Sequence, residues 1–172
     1  MEDNRILNKK VTKEEENLRK ANILFQGIAF YLENNIYMLD VMYIRSIITV
    51  KKIFRVPNTN ERLLGVLNLR GAILPVYSIK LILDLDDPFR NQNVITDDDK
   101  FIIIVNKDKD VFGIMIDSIY KKIIATDDNY REGKFLKQWA KNSIFSGVIL
   151  EDEKEIMVIN IENSLKYMIS LK

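Results

Sequence analysis

Short apolar runs recur along this chain at a spacing of roughly 8–12 residues, each closed off by Asn, Asp, Gly or Pro. That cadence leaves room for only about two or three brief helices. It argues for small barrels over a parallel sheet. Residues 24–32 read as a strand, and the pair Asn34-Asn35 as a hairpin turn into a second strand over 36–39. Asp40 has the chemistry of a helix N-cap, and Val41, Ile44, Ile47 and Ile48 follow at spacings of three and four. That spacing predicts one or two helical turns with a single apolar face. β-propensity returns over 49–56 until Pro57-Asn58-Thr59-Asn60 stops it, and a short helix capped by Ser78 is expected over 78–83.

Residues 84–100 are polar and Asp-rich and include Pro88, so they are the natural boundary between two lobes. Beyond them, strands are predicted over 101–105, 111–117 and 119–125. Phe112, Ile114 and Ile116 share one face by period-two alternation, while Val111 and Met115 make the other face apolar too. A polar excursion over 127–142 holds Trp139, a hairpin follows over 144–150 and 155–160, and a helix over 162–168 has Asn160 as its cap. The predicted fold class is therefore all-β, mainly β with a few short helices. Two SH3-like barrels of about five strands each pack around a shared hydrophobic core. Residues 1–22 form a charged polar tail, with at most an exposed helix over 13–20, and residues 23–172 form the folded domain.

Composition narrows function by exclusion. The chain of 172 residues has no Cys and no His, which removes thiolate nucleophiles, zinc–sulfur sites, His-dependent triads and the commonest transition-metal ligand. The clusters Asp84/Asp86/Asp87 and Asp97/Asp98/Asp99 lack the spacing of a calcium loop, so no metal and no other cofactor is expected. No phosphate loop or nucleophile–base pair is present, and an enzyme is not expected. Met1-Glu2-Asp3-Asn4-Arg5 does not open a secretory signal, and no apolar stretch is long enough for a membrane helix; a cytoplasmic location without direct membrane insertion is expected. A net charge of +1 predicts no strong field for nucleic acid.

The most informative local pattern is residues 64–76. Two apolar runs, 66–69 and 72–76, flank Arg70-Gly71, with Gly65 ahead of the first run and Pro75 inside the second. Gly71 can take positive φ and turn the chain between two strands, which puts Arg70 at the tip. There its guanidinium fork can meet a partner's carboxylate or carbonyl. An ordinary solvated Arg on a β-turn fits the same residues. Gly65, Gly71 and Pro75 are expected as structural turn residues.

Over about residues 24–168 the chain resembles the CheW family of bacterial chemotaxis coupling proteins. The resemblance is carried by Phe30-Tyr31-Leu32, Tyr37-Met38-Leu39-Asp40-Val41, Ile44 and Ile47, and Arg55-Val56-Pro57-Asn58. It continues through Gly65-Val66-Leu67-Asn68-Leu69-Arg70-Gly71, Ile73-Leu74-Pro75-Val76, Phe112-Gly113-Ile114-Met115-Ile116-Asp117 and Ser146-Gly147-Val148. It implies a non-catalytic adaptor that couples the cytoplasmic tips of chemoreceptors to the regulatory domain of the histidine kinase CheA, with further copies of such adaptors in array rings. The family docks a receptor helix hairpin in a groove between its lobes, and the resemblance assigns Val41, Ile44 and Arg70 to receptor binding. Ile48 reads as ordinary core. No residues for kinase binding are identified.

This chain departs from the family where a Glu is common, at Ser46; where an Asp is common, at Ser78; and where acids are usual, at Lys121 and Lys122. Such charge changes alter specificity more than fold. The alternative from another class is a small barrel that binds single-stranded nucleic acid through Lys51, Lys52, Arg55, Tyr37 and Tyr43, or through Lys121 and Lys122.

Overall fold

A computed structural model describes residues 21–133 and 144–169. The expected helix over 13–20 and Trp139 lie outside the described residues. The strands alternate as their side-chain pattern requires, and they gather into two curled sheets. The first sheet has six strands, in the order β10 (Ser118–Thr126), β1 (Ile23–Leu32), β2 (Asn35–Asp40), β13 (Lys154–Ile159), β12 (Phe145–Glu151), β11 (Tyr130–Glu132). The second has seven, in the order β3 (Ile44–Thr49), β8 (Phe101–Lys107), β9 (Asp110–Ile116), β6 (Ala72–Ser78), β5 (Leu63–Leu69), β4 (Ile53–Phe54), β7 (Val94–Ile95). Two short helices follow strands: α1 (Ile79–Ile82), where Ser78 Oγ accepts the Leu81 amide, and α2 (Ile161–Ile169), where Asn160 Oδ1 accepts the Asn163 amide. No helix among the described residues is long and apolar enough to cross a membrane.

The all-β, two-lobe expectation holds, but each sheet exceeds five strands and the lobe boundary is corrected. The first lobe joins β1 and β2 to the last four strands, and the second lobe, residues 44–116, is inserted between them. The first lobe is closed around the insertion by β1 pairing with β10 and by the parallel pair β2–β13, in which Tyr37 aligns with Met157. Residues 84–100 are not a linker between lobes: β7 within them pairs with β4, and the buried Asp87 carboxylate bonds Ser78 Oγ and the Phe89 amide. Polarity marked this stretch as a loop; it did not say which strands pair around it.

Three apolar cores follow from period-two alternation. Ala29, Ile36, Met38, Ile123 and Ile156 fill the first lobe; Ile53, Leu67, Leu74, Ile102 and Ile104 fill the second. Between the lobes lie Phe30, Leu32, Tyr37, Leu39, Ile103, Val105, Phe112, Ile114 and Ile116, closed by Ile79, Ile161 and Met168 from the helices. β8 and β9 are apolar on both faces because one face serves the lobe interior and the other the shared core. Asp117, between β9 and β10, adds a polar tie across the lobes. Its carboxylate accepts the Glu33 amide at 2.7 Å and pairs with Lys80 at 2.9 Å and Lys100 at 3.1 Å. Burial pushes the Asp117 carboxyl up, but the Glu33 amide and the two ammonium groups outweigh it and hold its pKa below the ordinary value.

Candidate docking site

The expected helix after Asp40 is a single 3-10 turn, Val41–Tyr43, from which the chain passes directly into β3. Asp40 caps it as expected, its Oδ1 accepting the Met42 amide at 2.9 Å. The helical spacing of Ile44, Ile47 and Ile48 is overridden because β-branched side chains favour a strand and β8 offers a pairing partner. Ile44 aligns with Val105 and Ile47 with Ile103. Ile48 packs into the second-lobe core, which bears out its reading as core.

This turn leaves Val41 38% and Met42 72% exposed, although both are apolar. Tyr43 is partly buried against the shared core, with the Lys107 ammonium 5.8 Å from its ring centroid. Lys107 also pairs with Asp108 at 3.2 Å and Glu162 at 3.1 Å, pinning the β8–β9 tip to the start of α2. Hydrogen bonds from Glu162 and Asp108 raise its pKa above the ordinary lysine value.

The turn lies against β1, whose outer face continues the apolar surface. Ile28 aligns with the core residue Leu39 on one side and with Lys122 on the other; Phe30 aligns with Ile119, and Gln26 with Ile124. These residues therefore share the face that carries Phe30 and Leu32 into the shared core. Past that core the face is uncovered. Leu24 and Ile119 are exposed, and Ile28 and Ile124 are partly buried. The result is an apolar strip along the seam of the two lobes, running from β10 and β1 to Val41 and Met42 and on to Ile44.

Arg70 sits where the sequence puts it, at the tip between β5 and β6, with Arg70 at φ 54° and Gly71 at φ 90°, the two positive values of a type I′ hairpin turn. Asn68 Oδ1 accepts the Gly71 amide at 2.8 Å. Arg70 is exposed and joins no ion pair among the described residues. Only Gly71 of the three expected turn residues is in a turn. Gly65 lies at an irregularity within β5, where a Cβ would stand 2.3 Å from the Phe54 carbonyl oxygen. Pro75 lies inside β6, one residue before its pairing with β9 begins at Val76.

Val76 aligns with Gly113, so counting back along β6 places Ile73 level with Asp110 and Arg70 past the β8–β9 tip. Ile44 aligns with Val105 near the same tip. Arg70 and Ile44 thus share one end of the second sheet, but β8 and β9 stand between them, a sideways separation of about 14 Å at three strand spacings, with Arg70 offset further along the strands.

A second apolar face escaped the sequence reading. Val94, Phe54, Val66 and Pro75 align across β7, β4, β5 and β6 on the side away from the lobe interior. Phe54 and Val94 are exposed, Ile73 stands nearby and is exposed as well, and the Lys52 ammonium is 5.1 Å from the Phe54 ring. The in-out alternation of Ile53 and Phe54 was the available signal. In the shared core, Tyr37 is buried against Phe30 and Phe145, so it is not free to stack on a base as the nucleic-acid alternative required.

A hollow of about 770 Å³ is open and lined by residues that include Asn60, Arg62, Asp84, Asp86 and Arg90. Its cations have structural duties: Arg90 pairs with Glu61, and Arg62 donates to the Tyr167 carbonyl at the end of α2. Among the described residues no cluster of three or more acidic side chains is placed to hold a metal ion.

A family model, the CheW-like domain, matches residues 26–167. The Chemotaxis protein CheW of Klebsiella aerogenes is 27% identical over 138 residues, covering 80% of each chain. The Chemotaxis protein CheW of Thermotoga maritima is 26% identical over 143 residues, covering 83% of this chain and 88% of that one. The crystal structure of the scaffolding protein TtCheW from Thermoanaerobacter tengcongensis matches with a TM-score of 0.66 at 22% identity, covering 79% of this chain and 88% of its own, and so shares the fold.

Proposed function

The chain belongs to the CheW-like domain family and is a chemotaxis adaptor by that membership; we propose that it works through two separate docking surfaces and no catalysis. The first receives the helical hairpin at the cytoplasmic tip of a chemoreceptor. The observation that carries this reading is the seam strip with Val41 and Met42 uncovered beside Ile44, an apolar surface of the kind that takes an amphipathic helix. Arg70 completes the surface from the far side of the β8–β9 tip. A helix with its side chains is about 10–12 Å across, so a two-helix hairpin spans the separation between Ile44 and Arg70.

The second surface is the Val94–Phe54–Val66–Pro75 face of the inserted lobe, which we assign to the regulatory domain of the kinase CheA. Its distance in the fold from the seam strip lets one adaptor hold receptor and kinase at once. Two interfaces of about micromolar affinity, near −8 kcal/mol each, suffice to build an array once they act together. Further copies of the adaptor join such rings at the cytoplasmic side of the membrane.

Reconstitution tests this. Purified adaptor, receptor fragment and kinase should co-sediment and raise kinase autophosphorylation. Val41→Asp, at an exposed position, should abolish receptor recruitment while leaving kinase binding intact. Equal loss of both partners, or of neither, would reject the division into two surfaces.

A further inference from the structure

The seam strip carries one feature that an apolar groove does not need. Lys122 projects from β10 on the same face as Ile28, between Ile119 and Ile124, and is exposed. Among the described residues it joins no ion pair, whereas its neighbour Lys121 is held by Glu151 at 3.0 Å and Asp152 at 3.5 Å. On β3, next to Ile44, Arg45 is also exposed and outside any ion pair among the described residues, and Ser46 follows it.

Two carboxylates near this end of the strip accept backbone amides, and neither pairs with Lys122 or Arg45. Asp40 accepts the Met42 amide, and Asp127 accepts the Asn22 amide at 3.2 Å. The strip thus presents apolar side chains around cations that form no ion pair among the described residues. Docking a neutral or basic helix here would desolvate Lys122 without compensation, and a second copy of this chain would bring like charges together.

We infer that Lys122 is a specificity determinant that selects a receptor hairpin carrying a carboxylate within its apolar docking face, with Arg45 reinforcing the preference. This rests on the receptor reading above. An exposed charge of this kind discriminates among partners more than it sets the total affinity.

The test uses the full chain and soluble hairpin fragments of the chemoreceptors from the same cell, with dissociation constants measured by calorimetry. Lys122→Gln should weaken binding about threefold and Lys122→Glu about tenfold or more, with unchanged thermal melts because the side chain is exposed. Lys121→Glu, on the opposite face, should leave receptor affinity within about twofold. A Glu→Lys or Asp→Lys change in the docking face of the receptor should restore binding to Lys122→Glu and weaken it to the unaltered chain. Binding of Lys122→Glu at the unaltered affinity, or failure of every such reversal to rescue, overturns the inference while the receptor reading stands. If the unaltered chain binds none of the fragments, the receptor reading falls and takes the inference with it.

Discussion

Removing the Asp117 carboxylate tests whether a polar tie, and not apolar burial alone, holds the two lobes in register. Asp117 is 17% exposed at its side chain, and its partners Lys80 and Lys100 are 12% and 29% exposed. A charge-assisted hydrogen bond to the Glu33 amide is worth about 1.5–3 kcal/mol. The more exposed Lys100 pair adds at most about 1 kcal/mol. Losing the carboxylate also leaves the Lys80 ammonium mostly buried and unpaired, a penalty that approaches about 3 kcal/mol when burial is deep. These contributions share one carboxylate and do not add, so Asp117→Ala should destabilise the protein by about 3–4 kcal/mol at neutral pH.

The folded-state pKa of Asp117 lies below its ordinary value of 3.8, so its contribution is present above that value and fades as pH falls through the folded-state pKa. The difference between parent and Asp117→Ala should therefore be full at pH 7 and shrink steadily below about pH 4. Urea unfolding followed by far-UV circular dichroism across this range gives both quantities. Asp117→Asn, which keeps an acceptor for the Glu33 amide, should recover part of the loss. A loss below about 1 kcal/mol at pH 7, or one that does not change on acidification, would show that the tie is ornamental.

Other consequences follow from the same geometry. Arg70→Ala should weaken receptor binding about tenfold in a co-sedimentation titration and shift stability by no more than about 0.5 kcal/mol, because the side chain is exposed and unpaired. Phe54→Asp should fold normally and lose kinase binding while retaining receptor binding, measured with each partner separately. Gly65→Ala should cost more in thermal melts than Gly71→Ala, although both glycines have positive φ. A Cβ at Gly65 meets the Phe54 carbonyl, whereas nothing lies within 4 Å of one at Gly71. The Gly71 change is expected to cost only about 1–2 kcal/mol of backbone strain.

The misreadings share a physical origin. Val41, Ile44, Ile47 and Ile48 satisfy a helical period and are also β-branched, and four residues cannot decide between the two readings. β8 decided it, by offering Ile103 and Val105 as partners from more than fifty positions away. The nested lobes were hidden for a related reason: the outer hydrogen-bond partners of the β1–β2 hairpin lie beyond residue 117, and a polar loop in between says nothing of that pairing. The Phe54 face was missed because β4 is only two residues long.

What local chemistry specified was the set of units: strands that must bury one or both faces, the Asp40, Ser78 and Asn160 caps, and a hairpin that presents Arg70 to solvent. These depend on φ/ψ preference and alternation within a few residues, which any stretch of chain carries with it. Which units became neighbours was settled only when distant strands closed their ladders and shared a core. That closure left Lys122 exposed beside Ile28 and separated Arg70 from Ile44 by two strands, because exposure and proximity belong to the packed whole and to no single segment.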